Sequence, residues 1–203
     1  LKASDSTVDT SSTHWGSQNT AEIMQAAGYT ARRIITSTSL GNAVLWNWNN
    51  LHSSQQLLLN KNGADTLGAN RVAYIRGDQS METPAGGFRK RSLIHGDIVN
   101  SKIWYAPGNS YQSMTRDSSR PNMIYVGSNG GMLHAFDASN GKEKLAYIPK
   151  GIMDKLPLLT DIGYQYSHQY YVDGSPFTGD VFTDTGDTAD ARTYLAGFLG
   201  GGG

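Results

Sequence analysis

Apolar and polar positions alternate most clearly between Met123 and Pro149, where two Asn-Gly pairs cut the stretch MIYVGSNGGMLHAFDASNGKEKLAYIP into three segments. Met123–Ser128, Met132–Ala138 and Lys142–Ile148 each read as a strand. Ile124 and Val126 fall on one side and Tyr125 on the other, while Leu133 and Ala135 oppose Met132, His134 and Phe136. Apolar residues on both faces predict cover on both faces rather than a solvent-washed sheet. Asn129-Gly130 and Asn140-Gly141 suit type I′ turns, which require φ > 0 at both central positions. An antiparallel meander packed on both sides is the build of one β-propeller blade.

The rest of the chain is less regular. Leu1–Asn19 is polar and reads as a loop or linker. Thr20 is placed to cap a short helix through Ala27, with Ile23, Met24 and Ala27 on one face and Gly28 closing it. Ala31–Ser37 and Ala43–Trp48 are strand-like around a turn at Leu40-Gly41-Asn42. Ser53-Ser54-Gln55-Gln56 forms a Ser-x-x-Gln capping box before Leu57, Leu58 and Leu59, and a second helix is predicted over Leu67–Arg76, stopped by Gly77. Met81–Gly87 is a loop, and Leu93–Tyr105 is expected to supply a strand around Ile98, Val99, Ile103 and Trp104. Pro107–Pro121 is polar, Leu156–Ser167 reads as a long connection, and Tyr170–Val172 is expected to open a further blade. Thr183–Arg192 reads as an acidic loop and Thr193–Leu199 as a last strand. The organisation predicted is a polar leader and strand-like segment (1–50), a helical insertion (51–80) and propeller blades in an incomplete ring (81–203).

Composition sharpens this picture. A blade takes about 40–45 residues and a ring about four to eight blades, so 203 residues hold two or three blades and predict part of a longer protein. Seventeen basic residues balance seventeen acidic ones, which argues against a nucleic-acid-binding surface spread over the chain. With no cysteine there is no thiol catalysis, Cys-ligated zinc or disulfide. No apolar run approaches the roughly 20 residues of a membrane-spanning helix. Twenty-four glycines and eleven tyrosines suit a turn-rich β protein.

The run YVGSNGGMLHAFDASNGKEKLAYIP resembles a quinoprotein-type blade, whose signature falls here on Gly127, Asn129, Gly130, His134, Phe136, Asp137, Asn140 and Gly141. The Met-Leu-His-Ala-Phe-Asp variant is more narrowly similar to the PilC/PilY family of type IV pilus tip-associated proteins. Three further stretches agree in order: Tyr74-Ile75-Arg76-Gly77-Asp78; Arg91-Ser92 leading to Gly96-Asp97-Ile98-Val99-Asn100-Ser101; and His168-Gln169-Tyr170-Tyr171-Val172-Asp173-Gly174-Ser175-Pro176. Asp173 and Gly174 join the blade signature. Lys102-Ile103-Trp104 departs from the family, which often places a proline there. The fold class implied is mainly β: a partial propeller of quinoprotein-like meander blades with short helical insertions.

Candidate chemistry is sparse. Arg76-Gly77-Asp78 is the minimal integrin-recognition tripeptide, but Gly77 also suits a helix end and Arg76 the last helical turn. Asp184, Asp187 and Asp190 are three apart with no following Glu, which is not calcium-loop spacing. The resemblance implies a calcium loop outside this sequence, past Gly203, and no cofactor within it. His14, His52, His95, His134 and His168 lack metal-ligand spacing. Ser92, His95 and Asp97 could be written as a triad, yet no nucleophile elbow accompanies them. Trp15, Trp46, Trp48 and Trp104 are better explained by burial than by a sugar or quinone pocket.

The function implied by the resemblance is non-enzymatic. It is a pilus-biogenesis and adhesion protein whose propeller is an interaction platform at the pilus tip or cell surface, reached by export through the periplasm. Minor pilins, an outer-membrane secretin or host-surface molecules are the partners expected. The competing readings are a fragment of a quinoprotein dehydrogenase and an outer-membrane assembly scaffold.

Overall fold

A computed structural model describes residues 15–16, 18–38, 40–108, 120–182 and 191–203. The meander forms where the alternation places it: β4 (Met123–Ser128), β5 (Met132–Asp137) and β6 (Glu143–Ile148). Ahead of them lies β3 (Trp104–Ala106), antiparallel to β4, so β3 to β6 make a four-stranded antiparallel blade. A hairpin of β1 (Ile34–Ser37) and β2 (Ala43–Leu45) extends it, with β1 running parallel to β6. The sheet order is β2-β1-β6-β5-β4-β3, and β7 (Phe177–Phe182) pairs with β8 (Ala191–Ala196) as a separate antiparallel hairpin. The six-stranded sheet is open, not closed into a ring.

All six residues of β5 are buried, as apolar character on both faces requires. On one face Val126 and Phe136 pack with Met24 and Ile94. Met24 comes from α1 (Thr20–Ala27). Ile34, Ala146 and Ile148 join the larger core with Trp46, Leu59, Val72 and Ile75. Leu59 lies in α2 (Ser53–Leu59), and Val72 and Ile75 in α3 (Gly68–Arg76). The helical segment is therefore a layer on this face. Arg71 binds it together, forking onto Asp65 at 2.7 and 2.6 Å and donating to the Leu59 carbonyl. The opposite face, with Leu133, Leu145 and Tyr147, fronts an apolar cleft of about 500 Å³ that Leu195 and Phe198 also line.

Several local expectations are corrected. Neither Asn129 nor Asn140 has φ > 0; the positive values belong to Gly131 (φ 86°) and Gly141 (φ 69°). The first loop thus has three residues, turning through the Gly131 N–H to Ser128 carbonyl bond before Gly131 enters the left-handed region. The cap of α1 is Asn19, not Thr20, in a capping box with Glu22, and the box of α2 pairs Gln55 with His52, not Ser53. No strand covers Ile98, Val99 or Ile103; all three are exposed, because polar anchors hold that segment. Tyr171 and Val172 are core residues before β7 rather than part of a strand. Leu156–Thr160 and Ile162–Tyr166 are 3-10 turns that bury Leu156, Leu159 and Tyr164. The polar stretches at Leu1–His14, residues 109–119 and Thr183–Asp190 lie outside the described residues.

Candidate functional site

Three of the stretches singled out in the sequence converge at one end of the blade, around Asn129, which is 2% exposed. Its Nδ2 donates to Asp97 Oδ2 at 3.0 Å and its backbone N–H to the Asp97 carbonyl at 2.8 Å. Its Oδ1 accepts from the Tyr171 N–H at 3.1 Å. One amide side chain thereby ties the Gly96–Ser101 stretch to the Tyr170–Pro176 stretch. The same two stretches meet again at buried Asp173, whose carboxylate accepts from the Asn100 N–H at 3.1 Å and from Asn100 Nδ2 at 2.6 Å. Ser101 Oγ accepts from the Gly127 N–H at 2.9 Å. Backbone approaches are too close for side chains: a Cβ on Gly96 would lie 2.0 Å from Gly130 N, and one on Gly127 2.3 Å from the Val172 carbonyl. Gly174 donates to the Phe198 carbonyl.

A buried charged relay runs from β4 across β5 and β6 to the chain just before β1. Glu143, on β6, takes Arg32 Nε at 2.7 Å and Nη2 at 2.9 Å, with both side chains 3% exposed. Its Oε1 also lies 2.7 Å from His134 Nδ1, and His134 Nε2 lies 2.9 Å from Ser128 Oγ. Burial pushes the Glu143 carboxyl up, but hydrogen bonds from His134 and Arg32 outweigh it and hold it at about 2. An ionised carboxylate only accepts, so His134 Nδ1 carries the hydrogen in that bond. The order Ser128–His134–Glu143 is that of a hydrolytic triad. Ser128 is nevertheless 1% exposed within the sheet, a position that gives the hydroxyl no substrate access.

The His95 ring stacks on that of His134 at 4.5 Å, with Phe136 beyond. His95 Nδ1 is 2.5 Å from the Gly96 carbonyl, and its buried Nε2 has no hydrogen-bond partner. Burial, then the neighbouring His134, pushes the His95 imidazole down to about 3.

The remaining signature residues close turns or fill the core. Asp137 accepts from the Ser139 N–H and Oγ, and this hydroxyl is the main reason its carboxyl sits below the ordinary range. Asn140 Oδ1 accepts from the Lys142 N–H, and Gly141 carries the left-handed backbone beneath the Trp15 ring. Gly130 packs on Gly96. Phe136 is 2% exposed. In the Arg-Gly-Asp tripeptide, Arg76 donates to the carbonyls of Trp46, Arg32 and Thr30. Gly77 ends α3 at φ 125°, and Asp78 Oδ1 caps the Ser80 N–H. Among the described residues no group of three or more His, Asp or Glu could hold a metal ion, and no helix is long and apolar enough to cross a membrane.

Glu143, Arg32 and Ser128 carry no motif signal in the sequence. The one signal in the sequence is that Glu143 opens a strand whose neighbours are apolar.

An open, mixed sheet built on an antiparallel blade, with its end stitched by the motif residues, defines a propeller-type protein. The PilY1 beta-propeller domain family matches residues 96–203, more than half of the chain, and the chain belongs to that family. It is 36% identical over 189 residues to the type IV pilus biogenesis factor PilY1 of Pseudomonas aeruginosa strain PAK, covering 83% of this chain and 16% of that protein. The corresponding factor of strain UCBPP-PA14 is 40% identical over 178 residues, covering 77% of this chain and 15% of that protein. A PilY1 homolog of Xylella fastidiosa strain Temecula1 is 42% identical over 151 residues, covering 66% and 12%. The chain thus spans less than a fifth of the curated relatives it matches. No solved structure matches it.

Proposed function

We infer that this chain is a structural blade region of a type IV pilus biogenesis protein, acting without catalysis as an interaction platform at the pilus tip or cell surface. The observation that carries this reading is the use of the motif residues. Asn129, Asp173 and Asn100 spend their hydrogen-bonding groups on joining segments of the chain, in a sequence similar to pilus biogenesis factors. Such a site builds a rigid surface rather than a reaction centre. Minor pilins or other assembly proteins, a secretin and host-surface molecules are the partners this reading names. Any calcium loop belongs to the remainder of the full-length protein.

The test is genetic. Cells lacking the full-length protein are complemented with wild type or with Glu143→Ala, and pili sheared from the surface are quantified. Loss without the protein, restoration by wild type and partial restoration by the variant are expected; unchanged piliation in the deletion strain overturns the reading. For catalysis, full-length protein is mixed with pyrroloquinoline quinone, calcium and a panel of alcohols and aldose sugars. Dye reduction should stay at background, and quinone-dependent turnover would show an enzyme.

A further inference from the structure

Beside the stitched end of the blade lies a half-open cleft of about 560 Å³. One wall is the continuous run Arg89–Ile98; the other includes Thr20 and Ala21 of α1, and Tyr164 lines it as well. This run is unusual in its hydrogen bonding. The backbone N–H groups of Ser92, Leu93, Ile94, His95 and Gly96 donate to no described residue. Main-chain donors without a protein partner need water or a ligand.

Charge at the cleft is asymmetric. The Arg89 guanidinium lies 4.5 Å over the Tyr164 ring and donates through Nε to the Leu159 carbonyl, so packing holds it in place while neither Nη nitrogen bonds to a described residue. Exposed Lys90 follows it and makes no ion pair with any described residue. Arg91 is spent on Glu82 and on the carbonyls of Tyr74 and Asp78. At the far end, Asp97 Oδ2 is engaged by Asn129 and by His168 Nε2 at 3.0 Å. Glu22, near the α1 wall, is turned back onto the Asn19 N–H. The cleft therefore offers two cations that no described carboxylate neutralises, and the nearby carboxylates of Asp97, Glu22 and Glu82 already have partners. Leu93 and Ile98, 41% and 43% exposed, give it an apolar rim.

We propose that this cleft is a docking site for a short acidic peptide segment of a partner protein. The segment's carboxylates meet Arg89 and Lys90, its carbonyls meet the Ser92–Gly96 amides, and its apolar side chains lie on Leu93 and Ile98. Charge complementarity selects this occupant: a basic segment would face two uncompensated cations, and a purely apolar one would leave both cations without a counter-charge. The inference goes beyond the pilus reading and does not depend on it.

The experiment uses the full-length protein and fluorescein-labelled decapeptides of alternating Glu-Leu, Gln-Leu and Lys-Leu, read by fluorescence anisotropy. The Glu-Leu peptide should bind at least about tenfold more tightly than the other two, and its affinity should fall as salt rises. Lys90→Glu, at an exposed position, should weaken it about tenfold while leaving the melting temperature unchanged. Equal binding of Glu-Leu and Gln-Leu peptides, or full affinity in Lys90→Glu, would overturn the proposal. Complete competition by millimolar inorganic phosphate would also overturn it, since a small-anion site would then account for the binding. Loss of peptide binding with normal piliation would leave the pilus role standing.

Discussion

The β4–β5 pair and the β7–β8 hairpin are the same object at the level of the ladder: two antiparallel strands matched over six residues each. They differ in what reaches them from elsewhere. Every residue of β5 is buried, whereas Phe177, Val181, Tyr194 and Leu195 are 39–55% exposed. Ladder hydrogen bonds contribute about 1 kcal/mol net each in either place. The central strands gain in addition Met24 and Ile94 on one side and the charged relay inside. Strand pairing is a local property of alternation, while stability here is imported from distant segments. A two-stranded hairpin without such cover is marginal.

The largest effect should come from the relay. Removing one partner of a buried ion pair leaves the other charge uncompensated, so Glu143→Ala should cost about 3–5 kcal/mol of unfolding free energy. Val181→Ala, on the open hairpin, should stay within about 0.5 kcal/mol. Urea midpoints of the full-length protein measure both, and similar losses would erase the contrast between the two regions.

Acid should sharpen it next. The folded His95 imidazole titrates at about 3, against 6.5 ordinarily, so below pH 6.5 the unfolded chain takes up a proton that the folded blade refuses. Stability falls through that window. Glu143 acts in the same direction only below its ordinary 4.5, so pH 6.5 to 4.5 isolates the histidine. A loss of up to about 2–3 kcal/mol across those two units is expected, and His95→Phe, which keeps the ring stack, should flatten the profile. An unchanged slope in His95→Phe would show that another group carries the acid response.

The turn gives the smallest effect. Gly131→Ala places a side chain at φ 86° with its Cβ 2.8 Å from Leu156 Cδ2, for about 1–3 kcal/mol. Gly130→Ala should cost less, because it meets Gly96 at 3.1 Å without a positive φ. Thermal denaturation of the pair orders them, and the reverse order would restore the type I′ turn.

The limits of sequence reading follow the same line between local and imported. The β4 to β6 boundaries were legible because alternation and Asn-Gly pairs act over a few residues. The helices were legible too, with capping assigned one residue late at both Thr20 and Ser53. The turn type was missed because the third residue, Gly131, accepts the left-handed backbone that would otherwise fall on Asn129. Ile98, Val99 and Ile103 look like a strand, but Asp97, Asn100 and Ser101 pin that segment by polar bonds and leave its apolar residues outside. The stitched end was visible as motifs but not as contacts. Glu143 was invisible because its partner Arg32 lies 111 positions away.

The parallel pairing of β1 with β6 sets a clock. Thr36 and Ile148, joined by a hydrogen bond across that pairing, lie 112 positions apart. At about 5–20 residues per second of synthesis, Thr36 of β1 emerges roughly 6–22 seconds before its partner Ile148 exists. Throughout that wait one edge of β1 stands open, a template for any strand that arrives first. In this sheet the first hairpin to be made is the last to be seated, so a chain caught early is most exposed to mispairing along Ile34–Ser37.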